Sequence, residues 1–387
     1  MKIALLHNFY RSSSPSGENN AVLAQLNLLR KREHEVRLFE AHSDEMPSNM
    51  KNLARHALNV AMRSTSVPEL IRNLNEFKPD ILHVHNTFPM IGTTWLRDYQ
   101  GPVVVTLHNF RTVCASGLLT RDSADCRLCP EESSFNSIIH KCYRDSAIKS
   151  IPLAIATRNA GSKSELLQRA NAIVVLSEYS EYIFKQSVAN CSIVRIPNFS
   201  NIDQPKSMHP KIENHWIYVG RLSAEKGILE LIRNWPSSQR LLVYGSGELQ
   251  GEVNEAIAGN DNIRYMGPVS REDLTNVLAK SKGLVFPSTC RENFPMIYVE
   301  AMTTGTPVVA FGANSVAGLV ISDRTGTVFE NWMDLPAALS KLELSRETLS
   351  LNALRLAESK YSQNACYRNI IAVYELAIRN YNEGPLN

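Results

Sequence analysis

The sequence has no apolar run long enough to cross a membrane, since none approaches the roughly 18 residues that a spanning helix needs. Its seven cysteines are an odd number spread over 387 residues, which argues against a disulfide framework. Charged residues make up only 20% of the chain, and the net charge is +3. This composition indicates neither disorder nor a nucleic-acid-binding protein. We therefore expect a cytoplasmic globular protein with no nucleic acid partner.

The sequence does contain enough apolar residues for two cores. Hydrophobic residues make up 44% of a chain that is too long for one typical domain. Residues 1–197 contain 23 Lys and Arg against 18 Asp and Glu, whereas the remainder contains 18 against 20. A mildly basic first half is compatible with contact to an anionic membrane surface, although an ordinary solvated face gives the same pattern.

Short apolar segments alternate with amphipathic segments at helical spacing along the chain. This alternation predicts an α/β fold with parallel sheets in two Rossmann-like domains. We expect the first domain at residues 1–197, with a cysteine-bearing insert at residues 110–145. Residues 198–214 are polar, contain proline and lack periodicity, so we interpret them as a linker. The second domain is expected at residues 215–362.

One stretch of the second domain predicts a strand, a loop, a helix and a second strand in succession. The apolar residues Gly283–Pro287 predict a buried strand, and a polar loop follows. Pro295 suits the first position of a helix, and Gly305 suits its end. A second strand at residues 307–311 completes a right-handed crossover unit.

Two carboxylates lie in this stretch at a spacing of eight residues. Glu292 is in the loop and Glu300 is inside the helix. The loop carboxylate is therefore expected to face the crevice beyond the strand ends, where open α/β sheets bind ligands. Three backbone N–H groups at the helix start can meet an anion, those of Asn293, Phe294 and Met296.

A second loop with chemical potential follows the predicted strand His215–Val219. It reads G-R-L-S-A-E-K-G at residues 220–227 and contains two cations, Arg221 and Lys226. An arginine presents a planar fork and a lysine presents a point charge, so the two at a helix start suit a diphosphate. An ordinary charged surface loop is the alternative.

These loops resemble two motifs of the retaining family 4 glycosyltransferases of group 1, which have the GT-B fold. The matching strings are G-R-L-x-x-E-K-G and E-x7-E, the latter followed by A-M-x-x-G-x-P-V. The resemblance implies two Rossmann-like domains whose parallel sheets face a central crevice, with a last helix, residues 363–387, that crosses back to the first domain. It also implies transfer of a sugar, with retention, from a UDP- or GDP-linked donor to a glycan or lipid-linked oligosaccharide. Such enzymes need no catalytic metal.

The resemblance assigns roles to individual residues. Arg221 and Lys226 would meet the leaving diphosphate, Glu292 the donor sugar and Glu300 the ribose hydroxyls. A Ser16-Gly17-Glu18 string partly matches the family's Gly-Gly-x-Glu loop. The remaining residues that we predict to bind the donor are Gly17, Gly220, Gly245, Gly247, Val269, Asn293, Phe294, Pro295 and Met296.

Histidines stand at the carboxyl ends of two successive predicted strands of the first domain. His85 ends the strand Asp80–His85, and His108 follows the strand Val103–Leu107. Both are expected to point toward the ligand crevice. His108 resembles the family's active-site histidine, which contacts the donor sugar, and we predict a catalytic role for it. We predict that His85 binds the acceptor.

Four of the seven cysteines lie within 29 residues at the spacing C-x11-C-x2-C-x12-C. They are Cys114, Cys126, Cys129 and Cys142. This spacing suits a tetrahedral structural zinc site. Four thiolates would leave no open position for water, so the metal would stabilise the fold rather than catalyse a reaction. Four free thiols are the alternative.

Two other functional classes stay open at this point. One is a nucleotide-sugar epimerase of the same fold, and the other is a non-catalytic subunit that binds a sugar nucleotide. The resemblance suggests a setting in bacterial surface polysaccharide synthesis, of lipopolysaccharide or capsule, with peripheral contact at the cytoplasmic face of the inner membrane.

Overall fold

The computed structural model describes the chain except residues 13–15, 47–49, 64–67, 122–123, 189–190, 201, 203–210, 291 and 385–387. The side chains of residues 50, 51, 53 and 54 are also outside this description. The chain divides into two compact units. The first unit contains Met1–Leu119, Cys126–Pro197 and Tyr367–Asn387, and the second contains Thr120–Asp125 and Asn198–Cys366. Nine of the 17 residues of the expected linker, residues 198–214, lie outside the described residues.

The first eight strands in chain order include the six that form the sheet of the first unit. They are β1 (Lys2–Phe9), β2 (Glu35–His42), β3 (Ile81–Asn86), β4 (Val103–Leu107), β5 (Thr120–Arg121), β6 (Ala124–Asp125), β7 (Ala172–Val175) and β8 (Ser192–Arg195). The strands β5 and β6 form a small antiparallel pair, and the other six form a parallel sheet in the order β2-β1-β3-β4-β7-β8. All residues of β3, β4 and β7 are buried, as expected for parallel strands covered on both faces.

The helices before the second sheet differ in places from the predicted pattern. They are α1 (Gly17–Lys31), α2 (Met50–Met62), α3 (Pro68–Phe77), α4 (Leu128–Glu131), α5 (Asn136–Ile139), α6 (Ala147–Ala156), α7 (Glu165–Arg169) and α8 (Glu178–Lys185). A single helix from Ala147 to Gln168 is the expectation from the apolar spacing, and it is wrong. Asn159, Ala160 and Gly161 all have positive φ angles, so the right-handed helix cannot continue through them.

The second unit contains another six-stranded parallel sheet. Its strands are β9 (Trp216–Val219), β10 (Leu241–Tyr244), β11 (Ile263–Gly267), β12 (Leu284–Phe286), β13 (Val308–Phe311) and β14 (Gly326–Phe329). They pair in the order β11-β10-β9-β12-β13-β14. Two parallel α/β sheets confirm the predicted fold class.

The strand orders place a topological switch point in each sheet. In the second sheet the order reverses between β9 and β12, and in the first sheet it reverses between β1 and β3. Loops leave a sheet in opposite directions on either side of such a point, so ligands bind there outside the carboxyl ends of the strands. The loops after these four strands are therefore the expected positions of functional residues.

The remaining helices are α9 (Ile228–Arg233), α10 (Gln250–Ile257), α11 (Arg271–Lys280), α12 (Met296–Thr303), α13 (Ser315–Asp323), α14 (Leu335–Lys360) and α15 (Gln363–Glu383). Two helices are expected between residues 334 and 359, but α14 is continuous because neither glycine nor an internal proline interrupts it. The expected helix stop at Gly305 is confirmed, since this glycine follows α12 with a φ of 66°.

The last helix contributes to the first unit from Tyr367 onward. The Tyr374 side chain is fully buried, and its hydroxyl lies 2.9 Å from Nδ1 of His83. Nε2 of Gln25 donates to the same hydroxyl at 3.2 Å. The end of the chain is thus tied to α1 and β3 of the first unit. Across the described residues, no helix has both the length and the apolar character that membrane crossing requires.

Candidate functional site

The loops after β9 and β12 meet at the switch point of the second sheet. The N–H of Thr289 donates to the carbonyl of Glu225 at 3.0 Å, which holds one loop on the other. Lys226 Nζ lies 2.7 Å from Glu292 Oε1, and both side chains are mostly buried. A pair so sheltered is screened less by salt than an exposed one. The structure thus brings together two predicted site residues that are 66 positions apart.

Glycines allow the loop after β10 to lie directly on the loop after β9. A Cβ atom at Gly245 would stand 1.8 Å from the carbonyl oxygen of Gly220. A Cβ at Gly247 would stand 2.3 Å from the carbonyl oxygen of Leu222. Packing between the two loops therefore accounts for both glycines, and their contact with a donor stays a prediction. Arg221 lies in the same loop and is exposed.

The start of α12 differs by one position from the expected helix. Pro295 has an extended conformation and is the N-cap, so Met296 is the first helical residue. The Phe294 ring is buried and packs against the rings of Tyr298 and Tyr361, with centroid distances of 6.5 and 5.6 Å. The side chain of Phe294 is therefore part of the core, and only its backbone is available to a ligand.

Glu300 is a buried carboxylate on α12 with 8% of its surface exposed. Burial raises its pKa to about 7, and the positive charge of Arg271 offsets this only in part. No hydrogen bond from a described residue to this carboxylate is present. A buried carboxylate without a hydrogen-bond donor is costly, so hydroxyl donors from a ligand would stabilise it.

Three more predicted donor contacts are spread over different elements. Val269 is half-buried in the loop between β11 and α11. Asn293 lies in the loop before α12. Gly17 is the first residue of α1, in the first unit. Gly17 therefore belongs to a different unit from Val269 and Asn293.

The two predicted histidines of the first unit form a hydrogen-bonded pair. Nδ1 of His85 lies 2.9 Å from Nε2 of His108, and the two rings are stacked. Burial lowers the pKa of His108 to about 3 and the pKa of His85 well below its usual value, so both are neutral near pH 7. The pairing of β1 with β3 passes from Val84 to Asn86 and skips His85, which marks a bulge at this residue.

A cavity of about 110 Å³ lies beside this pair, entirely within the first unit. Polar residues at its wall include His85, His108 and Asn109. Apolar residues of α2 and α6 also line it, among them Val60 and Leu153. The lining is therefore partly polar and partly apolar.

Comparison with known sequence families shows which family the chain belongs to. Residues 213–343 match the family described as Glycosyl transferases group 1. Residues 15–204 match the family described as Glycosyltransferase Family 4. Together the two matches cover well over half of the chain. The chain belongs to the family 4 glycosyltransferases.

Named relatives share modest identity with the chain. It is 28% identical over 178 residues to the capsular polysaccharide biosynthesis glycosyltransferase CapM of Staphylococcus aureus, over 42% of this chain and 46% of that protein. It is 22% identical to the phosphatidyl-myo-inositol mannosyltransferase of Mycobacterium leprae, over 78% of this chain and 76% of that protein. The chain spans less than half the length of the first relatives that it matches.

Solved structures support the predicted fold of the chain. Sucrose-phosphate synthase from Thermosynechococcus elongatus aligns with a TM-score of 0.68 and 17% identity, over 97% of this chain and 98% of that one. Anabaena Alr3699/HepE, solved in complex with UDP-glucose, aligns with a TM-score of 0.64 and 17% identity, over 97% and 100%. The likeness confirms the GT-B architecture.

The four clustered cysteines of the chain all lie in the first unit. Burial is the largest cause that raises the pKa of Cys129 to about 12, and the three other cysteines, Cys114, Cys142 and Cys126, contribute to the same shift. The four thiols are therefore close enough to affect one another. Among the described side chains, however, no group of three or more His, Cys, Asp or Glu residues is arranged to hold a metal ion. The zinc site stays a prediction.

Sequence reasoning missed the polar residues around the histidine pair. Oε2 of Glu18 accepts hydrogen bonds from the Tyr10 hydroxyl at 3.2 Å and from Nδ2 of Asn109 at 3.1 Å. Burial raises the pKa of Glu18 to about 7. No role is predicted for His7, although histidines near the ends of three neighbouring strands are a signal in the sequence.

Proposed function

We propose that this protein is a retaining glycosyltransferase that moves a sugar from a UDP- or GDP-linked donor to a glycan or lipid-linked acceptor. The observation that carries this proposal is the pair of Lys226 and Glu292 at the switch point of the second sheet, 2.7 Å apart. Without a donor the two charges neutralise each other. A bound donor would separate the two side chains. Lys226 would then bind the diphosphate, and the Glu292 carboxylate would accept hydrogen bonds from sugar hydroxyls.

The chemistry required is stabilisation of a departing diphosphate and of a sugar with oxocarbenium character. Lys226 and Arg221 would stabilise the leaving charge, together with the backbone N–H groups at the start of α12. Glu300 would accept hydrogen bonds from the ribose hydroxyls. His108 would contact the donor sugar, and the leaving diphosphate would take the proton of the acceptor hydroxyl. No side chain serves as a covalent nucleophile in this scheme.

The relatives favour particular substrates. The UDP-glucose bound to Alr3699/HepE supports a UDP-linked donor. CapM acts in capsular polysaccharide biosynthesis, and the Mycobacterium leprae protein is named for a phosphatidyl-myo-inositol acceptor. We therefore expect an acceptor that belongs to a surface polysaccharide or is attached to a lipid.

Peripheral membrane contact is part of the same proposal. The helix α6 packs against both α2 and α5. Large apolar side chains are exposed on these three helices or directly before one of them: Leu58, Met62, Phe135, Ile139, Ile148 and Ile151. The basic residues Arg55, Arg144 and Lys149 are exposed on or next to the same helices. Apolar residues flanked by basic ones suit the interface of an anionic bilayer.

This membrane contact can be measured by co-sedimentation with phosphatidylglycerol vesicles. Ile148→Glu should weaken binding to these vesicles strongly, because a charge replaces a side chain that would enter the interface. Leu344→Glu on α14 is the matched control, since Leu344 is equally apolar and exposed. Equal binding by the two variants would remove this part of the proposal.

A structural zinc ion is also proposed, because the spacing and the proximity of the four thiols suit one. Metal analysis of the purified protein should give about one zinc per chain. Cys129→Ser should lower this content, and Cys191→Ser, which changes an isolated cysteine, should leave it unchanged. Purified protein that contains no zinc would show instead that the four cysteines are free thiols.

Thermal unfolding with a panel of nucleotides and nucleotide sugars is the first experiment. A micromolar donor present at millimolar concentration should add roughly 4 kcal/mol of stability. Isotope label should then move from that donor to an acceptor, whereas an epimerase would turn over the donor alone. A binding subunit would show the shift without turnover. No shift with any member of the panel would count against the proposal.

A further inference from the structure

The first sheet carries a group of buried polar atoms that the proposed donor chemistry does not use. They lie around its switch point, between β1 and β3. His7 is near the end of β1, His85 is the bulged residue of β3, and Glu18 lies in the first turn of α1. One atom of each side chain is buried and has no hydrogen-bond partner among the described residues: His7 Nδ1, Glu18 Oε1 and His85 Nε2.

The hydrogen bonds of His7 determine which of its nitrogens carries the hydrogen. Oδ1 of Asn19 accepts the backbone N–H of Tyr10 at 3.3 Å, so this atom is an oxygen. His7 Nε2 lies 3.0 Å from the same oxygen and must donate to it. Burial lowers the pKa of His7 to about 4, so the ring is neutral. Nδ1 of His7 is therefore a hydrogen-bond acceptor.

Glu18 presents a second acceptor of the same kind. Its Oε2 atom accepts the Tyr10 hydroxyl and Nδ2 of Asn109. The orientation of Asn109 is determined by its Oδ1 atom, which accepts the N–H of Arg111 at 2.9 Å. Oε1 of Glu18 has no such donor. The carboxylate is thus held in place through one oxygen and leaves the other for a ligand.

His85 lies next to His7 and belongs to the histidine pair. Its ring centroid lies 6.3 Å from that of His7, and its Nδ1 shares a hydrogen bond with His108. Nε2 of His85 is left without a partner, and His85 lines the cavity of the first unit. Buried polar atoms without hydrogen-bond partners cost free energy. Three such atoms near one switch point therefore indicate a ligand that would form hydrogen bonds with them.

The chemistry of the atoms narrows the ligand class. A phosphate or carboxylate ligand is disfavoured because its oxygens accept hydrogen bonds, as Nδ1 of His7 does. A metal ion is disfavoured because the described side chains include no metal-binding group. Acceptors at fixed positions match several O–H donors on one rigid frame, which is what a pyranose ring presents.

We propose that His7, Glu18 and His85 form a hydroxyl-recognition site for the acceptor sugar in the first unit. This rests on the proposed function, since the site would hold the sugar that receives the transferred group. Glu18 and His7 would accept hydrogen bonds from ring hydroxyls. His85 would orient His108 and contact a further hydroxyl. Glu18 is a specificity residue in this assignment.

The probe for the site is a set of methyl glycosides of glucose, galactose, mannose, rhamnose and N-acetylglucosamine. Saturation-transfer NMR on the full chain measures their binding. We expect at least one to bind with millimolar affinity, and Glu18→Gln to weaken that affinity about tenfold. The substitution retains shape but replaces the unpaired acceptor with an N–H₂ donor. Glu76→Gln, at an exposed glutamate of α3 in the same unit, is the matched control.

Two outcomes overturn the proposal: no glycoside binds the wild-type protein, or Glu18→Gln binds as well as the control. If Glu18→Gln does not fold, His7→Phe gives a second test. It retains a ring against Phe9 and removes the Nδ1 acceptor, so the same loss is expected. Stabilisation by UDP and by GDP is measured in parallel. Glycoside binding with no stabilisation by either UDP or GDP would contradict the proposed function but leave this site intact.

Discussion

At the scale of single residues, Arg221 and Glu300 represent two different electrostatic situations. Arg221 is exposed, so its charge costs little until a ligand arrives. Glu300 is buried with a raised pKa, so its charge is costly in the free protein. Both arrangements suit ligand binding, but they affect stability in opposite ways, and each leads to its own prediction.

Arg221→Ala should lower kcat/KM about 100-fold, because a cation that stabilises leaving charge contributes ~3 kcal/mol to the transition state. The free energy of unfolding should change little, since Arg221 is exposed. Steady-state kinetics with the donor found in the binding panel provides the measurement. Arg264→Ala, at an exposed arginine of β11, is the control. A loss below about threefold would remove Arg221 from the site.

Glu300→Gln should stabilise the free protein increasingly as the pH rises from 5 to 8. The folded pKa of Glu300, about 7, lies above the usual value of 4.5, so the folded state binds more protons between these values. Wild-type stability therefore falls as the pH rises through this window. The glutamine variant lacks this loss, and its advantage should reach about 3 kcal/mol at pH 8.

Denaturant unfolding of both proteins at several pH values measures this difference. Donor affinity should move the other way, because the variant has lost a carboxylate for the ribose hydroxyls. A stability difference that does not change between pH 5 and pH 8 would mean that Glu300 is not the group that titrates.

At the scale of elements, the second unit depends on two loops that lie on each other. Gly245→Ala should destabilise the protein by about 2–4 kcal/mol and remove UDP binding, because the new Cβ would overlap the backbone at Gly220. Gly251→Ala is the control. Nothing lies within 4 Å of its Cβ position in α10, and alanine favours helix there, so a gain of about 0.5 kcal/mol is expected.

Chemical unfolding and UDP titration of both glycine variants provide the test. Normal UDP binding by Gly245→Ala would show that the loop after β9 does not depend on this contact.

At the scale of the whole molecule, the chain ends in the unit where it began. Tyr367–Asn387 belongs to the first unit, and Ile370, Val373, Tyr374 and Ala377 are buried there. A chain that ends at Cys366 should expose the apolar surface beneath these residues. We expect its first unit to unfold at a lower temperature than the second, so that calorimetry shows two transitions.

UDP should still raise the upper transition of the truncated chain, because the residues proposed to bind the nucleotide belong to the second unit. Removal of residues 385–387 alone is the control, and the unfolding profile of that variant should match the profile of the full chain. A truncated chain with an unchanged profile would contradict the structural role assigned to the last helix.

The sequence by itself determined the fold class and the local position of most candidate residues. Strands read as apolar runs and helices as periodic ones, and Gly305 marks the end of α12 because these signals act over a few residues. The motif loops at residues 220–227 and around Glu292 were readable for the same reason. Prediction failed between Ala147 and Gln168, where left-handed residues break a helix that the apolar spacing favours.

Only the tertiary structure decided which of these residues meet. Lys226 lies beside Glu292, and Glu18 lies beside Asn109, because the order of parallel strands brings distant loops to one edge of a sheet. The pKa values of Glu300 and of the histidine pair follow from burial, which depends on packing from the whole unit. Residue type and spacing contain no measure of that burial, so the electrostatics of both candidate sites come from the fold.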